Sequence, residues 1–369
     1  MSPLPPSMPG ILVTENGGVE VLNYKTDLPV PQLKPGEVLV RNEYIGVNFI
    51  DTYFRTGLYK VPLPLIPGKE AAGTVVLSST PDLAVGSRVA YMGDATYAEL
   101  TAVPAQSAAK IPDGVSTESA AASLIQGLTA LTFIRNLPLT PPPPFNKKSL
   151  PSRSSFCPAS SSPHPATKFV LVHASSGGTG SLLTQILSQS PGGPYTIIGT
   201  ASSPVKAQAS LESGADHVID TSTDSIVSRI SEITSGKGVD VIFDGVGKDT
   251  FDLDLEVVAK NGTIVVFGSA SGPVPPVDLF KLSSKNIKLM RPSMPGYLTT
   301  KEEMNGYTAE LFELLRKDKV KSRVHRVYDL KDVAQAHLDL EGRKTVGKLL
   351  LRVRGTESSS TRGSTCYTK

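Results

Sequence analysis

The residues best suited to chemistry form a short run near the middle of the chain, Ser175-Ser176-Gly177-Gly178-Thr179-Gly180. A turn of this composition between a strand and a helix presents backbone N–H groups to an anion. Gly177 lets the backbone approach a pyrophosphate, Gly178 and Thr179 complete the turn, and Gly180 lets helix and strand pack closely. The run is the dinucleotide fingerprint with Ser in place of its first Gly. A purely structural turn would use the same letters, so the context decides: this one opens a series of five βα units. The next strand ends at Thr200-Ala201-Ser202-Ser203, with no carboxylate for a free ribose 2′-hydroxyl. Ser202, Ser203 and, four residues on from Ser202, Lys206 suit a 2′-phosphate instead, so the expected cofactor is NADPH rather than NADH. Alone, Lys206 would read as one more solvated lysine. Other chemistries find little support. The His residues at 164, 173, 217, 325 and 337 and the two Cys, 157 and 366, form no pair at metal-ligand spacing. No metal site and no nucleophile elbow is expected, which leaves the chemistry to the cofactor.

These residues need elements to hold them. Strands are predicted at 169–173, 195–199, 217–220, 239–243 and 263–267, with helical patterns at 181–188, 205–213 and 225–234 between them. Near-continuous apolar strands alternating with helices predict a parallel sheet covered on both faces, a Rossmann-type doubly wound α/β domain. Residues 36–47 alternate apolar and polar as a half-buried strand does, and 71–76 and 86–91 are further short strands, so the first part of the chain reads as a small β-rich domain. The last ordered residues, through Gly347-Lys348-Leu349-Leu350-Leu351-Arg352-Val353, are expected to pack back onto it.

Two stretches read as unstructured. Residues 138–166 hold nine Pro and seven Ser, too little apolar surface to offset the entropy of ordering. They are either a surface insertion or an intron retained in the gene model. Residues 354–369 hold eight Ser or Thr in sixteen and read as a free tail. The whole chain has 369 residues, 39% of them hydrophobic, which is material for two domains. Its net charge of +3 argues against nucleic acid or an anionic membrane as the main partner. Two Cys fit a reducing compartment, and neither a signal peptide, a spanning segment nor a C-terminal address is read, so a cytoplasmic protein is expected.

Several further segments carry a resemblance. The segment 46–59, from Gly46-Val47-Asn48 to Gly57-Leu58-Tyr59, resembles the zeta-crystallin type quinone oxidoreductases of the medium-chain dehydrogenase/reductases. So do Pro67-Gly68-Lys69-Glu70-Ala71-Ala72-Gly73, Gln126-Gly127-Leu128-Thr129-Ala130, 243–250, 267–272, Met290-Arg291-Pro292-Ser293 and Gln335-Ala336-His337. The resemblance covers 10–353 apart from the insert. It implies a GroES-like substrate domain from 1–125 and 300–353, facing a nucleotide domain from 126–299 across a cleft.

Residue type alone reads Asn48 as a turn residue, Tyr53 and Tyr59 as core rings, and Arg343 as a helix-end cation. The resemblance implies instead that Asn48, Tyr53 and Tyr59 are polar groups of the catalytic cleft. Asn48 and Tyr53 would donate to the oxyanion formed when a quinone accepts hydride, and Tyr53 would also be able to protonate the product. It further implies that Gly245, Phe267, Ser269 and Ser271 lie along the cofactor, that Lys206 reaches its 2′-phosphate, and that Arg343 reaches the cofactor from the terminal segment. Thr221 would sit at the adenosine end, where relatives carry Tyr. Zinc-dependent members of the superfamily have Gly-His-Glu where this chain has Gly68-Lys69-Glu70; Lys69 replaces the ligand and is expected to place a cation there, so a zinc-free enzyme is implied. The implied activity is NADPH-dependent quinone reduction by a homodimer. The alternatives are reduction of α,β-unsaturated carbonyls, or a non-catalytic role binding AU-rich RNA, for which no basic aromatic patch is evident.

Overall fold

The longest strand among the described residues, expected to be buried on alternate residues, is instead buried continuously over 38–40 and 45–47, because Val38 and Val40 join one core cluster and Leu39 another; the other strands of the first sheet assemble around it. The computed structural model describes residues 4–136, 168–190 and 195–353; the stretches 138–166 and 354–369 lie outside them. Strands β1 (Ser7–Leu12) and β2 (Asn23–Pro29) form an antiparallel pair. The long strand β3 (Glu37–Val47) runs directly into helix α1 (Phe49–Thr56). Strands β4 (Glu70–Ser78), β5 (Arg88–Met92), β6 (Leu100–Pro104) and β7 (Ala108–Lys110) come next. The sheet runs β3-β4-β5-β7, with β6 on the other edge of β3 along 37–41.

Helix α2 (Thr117–Asn136) is apolar around most of its circumference, and fifteen of its twenty residues are buried. Such a helix must be covered on all sides. It packs on β3, β4 and β5 from one direction and on later helices from the other, so it is the spine between the two sheets. It begins at Thr117, well before the expected boundary of the nucleotide unit at 126.

The second sheet contains β8 (Lys168–Val172), β9 (Tyr195–Ala201), β10 (His217–Asp220), β11 (Val239–Asp244), β12 (Val258–Val266) and β13 (Lys288–Met290). The helices between them are α3 (Gly178–Ser188), α4 (Pro204–Glu212), α5 (Ile226–Ile233), α6 (Phe251–Val257) and α7 (Phe280–Ser283). All its pairings are parallel, in the order β10-β9-β8-β11-β12-β13. That is the doubly wound order 3-2-1-4-5-6, whose direction reverses between β8 and β11 and opens a ligand crevice beyond those strand ends. Strand β13, three residues long, was not among the five expected; Lys-Leu-Met is too short to carry a period.

The chain then forms α8 (Lys301–Arg316), capped by Thr300 with Glu303 reaching back to the Thr300 N–H, and after it β14 (Val324–Asp329), α9 (Val333–Glu341) and β15 (Lys348–Arg352). Strand β15 pairs antiparallel with β3 through 44–47, so the last strand completes the first sheet. Among the described residues no helix is long and apolar enough to cross a membrane.

Candidate active site

The glycine turn lies at the reversal point of the parallel sheet. Gly177 is the N-cap of α3, and Gly178, Thr179 and Gly180 form its first turn, with no acidic residue to compete with an anion there. A Cβ on Gly180 would lie 2.4 Å from the Ala174 carbonyl oxygen and 2.9 Å from Ser175 Cα. No side chain fits, which is the close helix–strand approach that this position requires. The adjoining corner gathers the residues expected at a 2′-phosphate. Ser203 caps α4, Lys206 Nζ donates to Ser202 Oγ at 3.0 Å and to the Arg343 carbonyl at 2.6 Å, and the Arg343 guanidinium pairs with Asp249 at 3.2 Å. Partial burial, then the Arg343 charge, hold the Lys206 ammonium below its ordinary pKa. The Thr221 hydroxyl is turned back onto the Ala201 carbonyl at 3.1 Å.

A cavity of about 790 Å³ runs from Gly177, Gly178 and Thr179 past Gly245 and Phe267 to the side chains of α1. Tyr53 and Tyr59 line its far end, their rings edge to face at 5.3 Å. The Tyr53 hydroxyl accepts the Ser269 N–H at 3.1 Å, a bond between the first sheet's unit and the end of β12. Burial pushes the Tyr53 phenol up to about 12, so it keeps its proton at neutral pH and is a hydrogen-bond donor rather than a proton source. This weakens the expectation that Tyr53 would protonate the product. Ser269 is buried, and Ser271 turns away: its hydroxyl donates to Val246 O and accepts Asp249 N–H, tying the 245–249 loop to the end of the sheet.

Asn48 corrects the expectation more sharply. It lines the cavity, but its amide N–H groups go to Glu70 Oε2 at 3.0 Å and Gly46 O at 3.2 Å. Its carbonyl accepts from Gln126 Nε2 and Lys348 Nζ, both at 2.7 Å. Both amide hydrogens are used, so none is left to aim at a substrate oxygen. Lys348 also pairs with Glu70 at 2.7 Å, both buried, and Glu70 Oε1 takes the Ile125 N–H. The network leaves no room on Gly46, where a Cβ would lie 2.2 Å from Glu70 Oε2. Lys69 also lines the cavity. Its ammonium pairs with Asp94 and lies 4.4 Å from the centre of the Phe54 ring, and the buried cation beside Glu70 is Lys348.

Helix α1 is braced from beneath. Arg55 donates to Glu341 and to His337 Nδ1, which leaves the His337 hydrogen on Nε2 for Tyr97 Oη; Tyr97 in turn donates to Asp51 Oδ2 at 3.0 Å. Burial, then the Arg55 charge, lower His337 to about 3 and keep it neutral. Asp51 Oδ2 also accepts the Asn48 N–H at 2.8 Å, fixing the start of the helix that carries Tyr53.

Two family models match the chain: the alcohol dehydrogenase GroES-like domain over 34–113 and the zinc-binding dehydrogenase domain over 178–313. A probable quinone oxidoreductase of Schizosaccharomyces pombe is 35% identical over 92% of this chain and 96% of its own length. A quinone oxidoreductase of Salmonella typhimurium is 39% identical over 91% and 97%. The chain belongs to the quinone oxidoreductase family of the medium-chain dehydrogenase/reductases. Among solved members of that family, the Escherichia coli quinone oxidoreductase in complex with NADPH superposes with a TM-score of 0.81 at 35% identity, covering 93% of this chain and 99% of that one.

Against that family background, three cavity-lining residues, Gln126, Arg291 and Lys348, and the buried Glu70 beneath them were missed in the sequence. Glu70, Gln126 and Arg291 sat in segments noted for their resemblance, without a role of their own. Lys348 reads as one polar residue in an apolar strand, which was the available signal. Among the described residues, no group of three or more His, Cys, Asp or Glu is set to hold a metal ion.

Proposed function

We propose that this chain reduces quinones with NADPH by direct hydride transfer. One observation carries the reading: the anion-ready turn at Gly177–Thr179 and Tyr53 open onto one cavity. The residues present fit NADPH. The α3 N-terminus would take the pyrophosphate, Ser202, Ser203, Lys206 and Arg343 the 2′-phosphate, and Thr221 would flank the adenosine. Gly245, Phe267 and Ser269 would flank the nicotinamide, with Ser271 bracing their loop. NADPH, when bound, supplies the hydride. Tyr53 donates its hydrogen bond to the quinone oxygen as charge develops there, Tyr59 walls the acceptor site, and Asn48 holds the cavity floor rigid.

The same reading takes the chain to be zinc-free, since the buried carboxylate of Glu70 is already neutralised by Lys348. It assigns 1–125 with 300–353 to the substrate unit and 126–299 to the nucleotide unit. A homodimer would cover Leu279 and Phe280, exposed in the segment that leads into the edge strand β13. A cytoplasmic location fits the two-Cys composition, and the near-neutral charge offers RNA no basic patch. The test is NADPH oxidation with a panel of quinones and α,β-unsaturated carbonyls, repeated with a chelator. Quinone turnover that resists chelation supports the proposal. Turnover with enones alone moves the assignment to enone reduction, and loss on chelation ends the zinc-free reading.

A further inference from the structure

Four cations line the cavity: Lys69, Arg291, Lys301 and Lys348. Three are neutralised, by Asp94, Asp82 and Glu70 respectively. Arg291 makes no ion pair among the described residues. Its guanidinium donates to Val266 O at 3.0 Å, Gly268 O at 3.1 Å and Ser269 Oγ at 3.3 Å. That occupies three of the five N–H donors of an arginine and leaves two. Ser269 is also the residue whose N–H holds the Tyr53 hydroxyl, so Arg291 and Tyr53 meet on one residue at the end of β12. Their proximity is felt electrostatically, the Arg291 charge opposing the upward pull of burial on the Tyr53 phenol.

We propose that Arg291 is a further catalytic residue, whose two free N–H groups and uncompensated charge join the Tyr53 hydroxyl in holding the oxyanion of the acceptor. The inference rests on the quinone reductase reading and supplies the second donor that Asn48 does not. When a quinone takes up hydride, its two electrons reduce the ring and the product is a hydroquinone monoanion, which completes its second O–H with a proton from water. The negative charge thus forms on oxygen beside an unpaired guanidinium that three hydrogen bonds already hold in place.

The experiment compares binding of 4-nitrophenolate, which mimics the product anion, with neutral 4-nitroanisole at one mildly alkaline pH, by calorimetry on the NADP⁺-saturated protein. The parent protein should prefer the anion by about tenfold or more. Arg291→Gln should bring the ratio near one with NADP⁺ affinity unchanged, and kcat for quinone should fall about 10–100-fold. Arg291→Lys should keep most of the preference. A parent protein without anion preference, an Arg291→Gln variant that keeps it, or an Arg291→Lys variant as impaired as Arg291→Gln each overturns the proposal. The binding arm needs no turnover, so anion preference without NADPH-dependent quinone reduction would fault the enzyme reading and not the role of Arg291 as an anion site.

Discussion

The two ends of the cleft are made in different ways. The nucleotide end is built largely from backbone within 175–206, a helix N-terminus, a glycine that admits no side chain and a capped helix start, to which Lys206 and Arg343 add their charges. The acceptor end is built from side chains brought together over long separations, with Asn48 bonded to partners 22, 78 and 300 positions away. A backbone site depends on local residues and tolerates change around it. A side-chain site depends on every member of its network, because one missing partner leaves a buried charge or amide unsatisfied.

The contrast breaks most readily at the buried pair. Lys348→Met should destabilise the protein by about 3–5 kcal/mol, since Glu70 is left buried and uncompensated, whereas a surface lysine such as Lys317 should cost under about 0.5 kcal/mol. Denaturant unfolding of the two variants checks this, and near-equal losses would remove the distinction. Tyr53→Phe should lower kcat for quinone about 10–100-fold with little change in NADPH affinity; parental kcat in that variant would take the hydroxyl out of the reaction. Asn48→Ala should instead show its larger effect in melting temperature than in kcat at permissive temperature, separating a floor residue from a donor. At the nucleotide end, Lys206→Ala should raise the NADPH KM about tenfold, as loss of one charge-assisted contact of roughly 1.5 kcal/mol implies, and leave NADH nearly unchanged. The smallest effect is with pH. The Tyr53 phenol, pushed up to about 12 by burial, stays protonated through the neutral and mildly alkaline range, so kcat should show no alkaline decline there; a fall near pH 9 would mean that another group titrates.

Legibility in the sequence divides along the same line. The glycine turn, the missing acid after β9 and the strand–helix alternation are local, and the structure brings Ser202, Ser203, Lys206 and Arg343 into one corner. The acceptor end was read by type and resemblance, and there Asn48 was misread. An Asn at a strand–helix junction looks free to donate until Glu70 and Lys348 are seen to fix both ends of its amide. Ser271 was placed along the cofactor for the same reason, and its hydroxyl serves a loop instead. Arg291 was visible as a motif and gained meaning only once its neighbours showed no carboxylate. Strand β13 escaped because three residues carry no period, although without it the sheet would lack its outer edge.

The claim on which the rest depends is that the nucleotide end selects the phosphorylated cofactor, through Lys206 and its neighbours, for hydride transfer to a quinone. Steady-state kcat/KM with NADPH and with NADH, against one quinone at saturation, tests it directly. The account predicts quinone-dependent turnover with NADPH favoured by about tenfold or more, the ratio collapsing in Lys206→Ala. Equal or better turnover with NADH in the parent protein would contradict it.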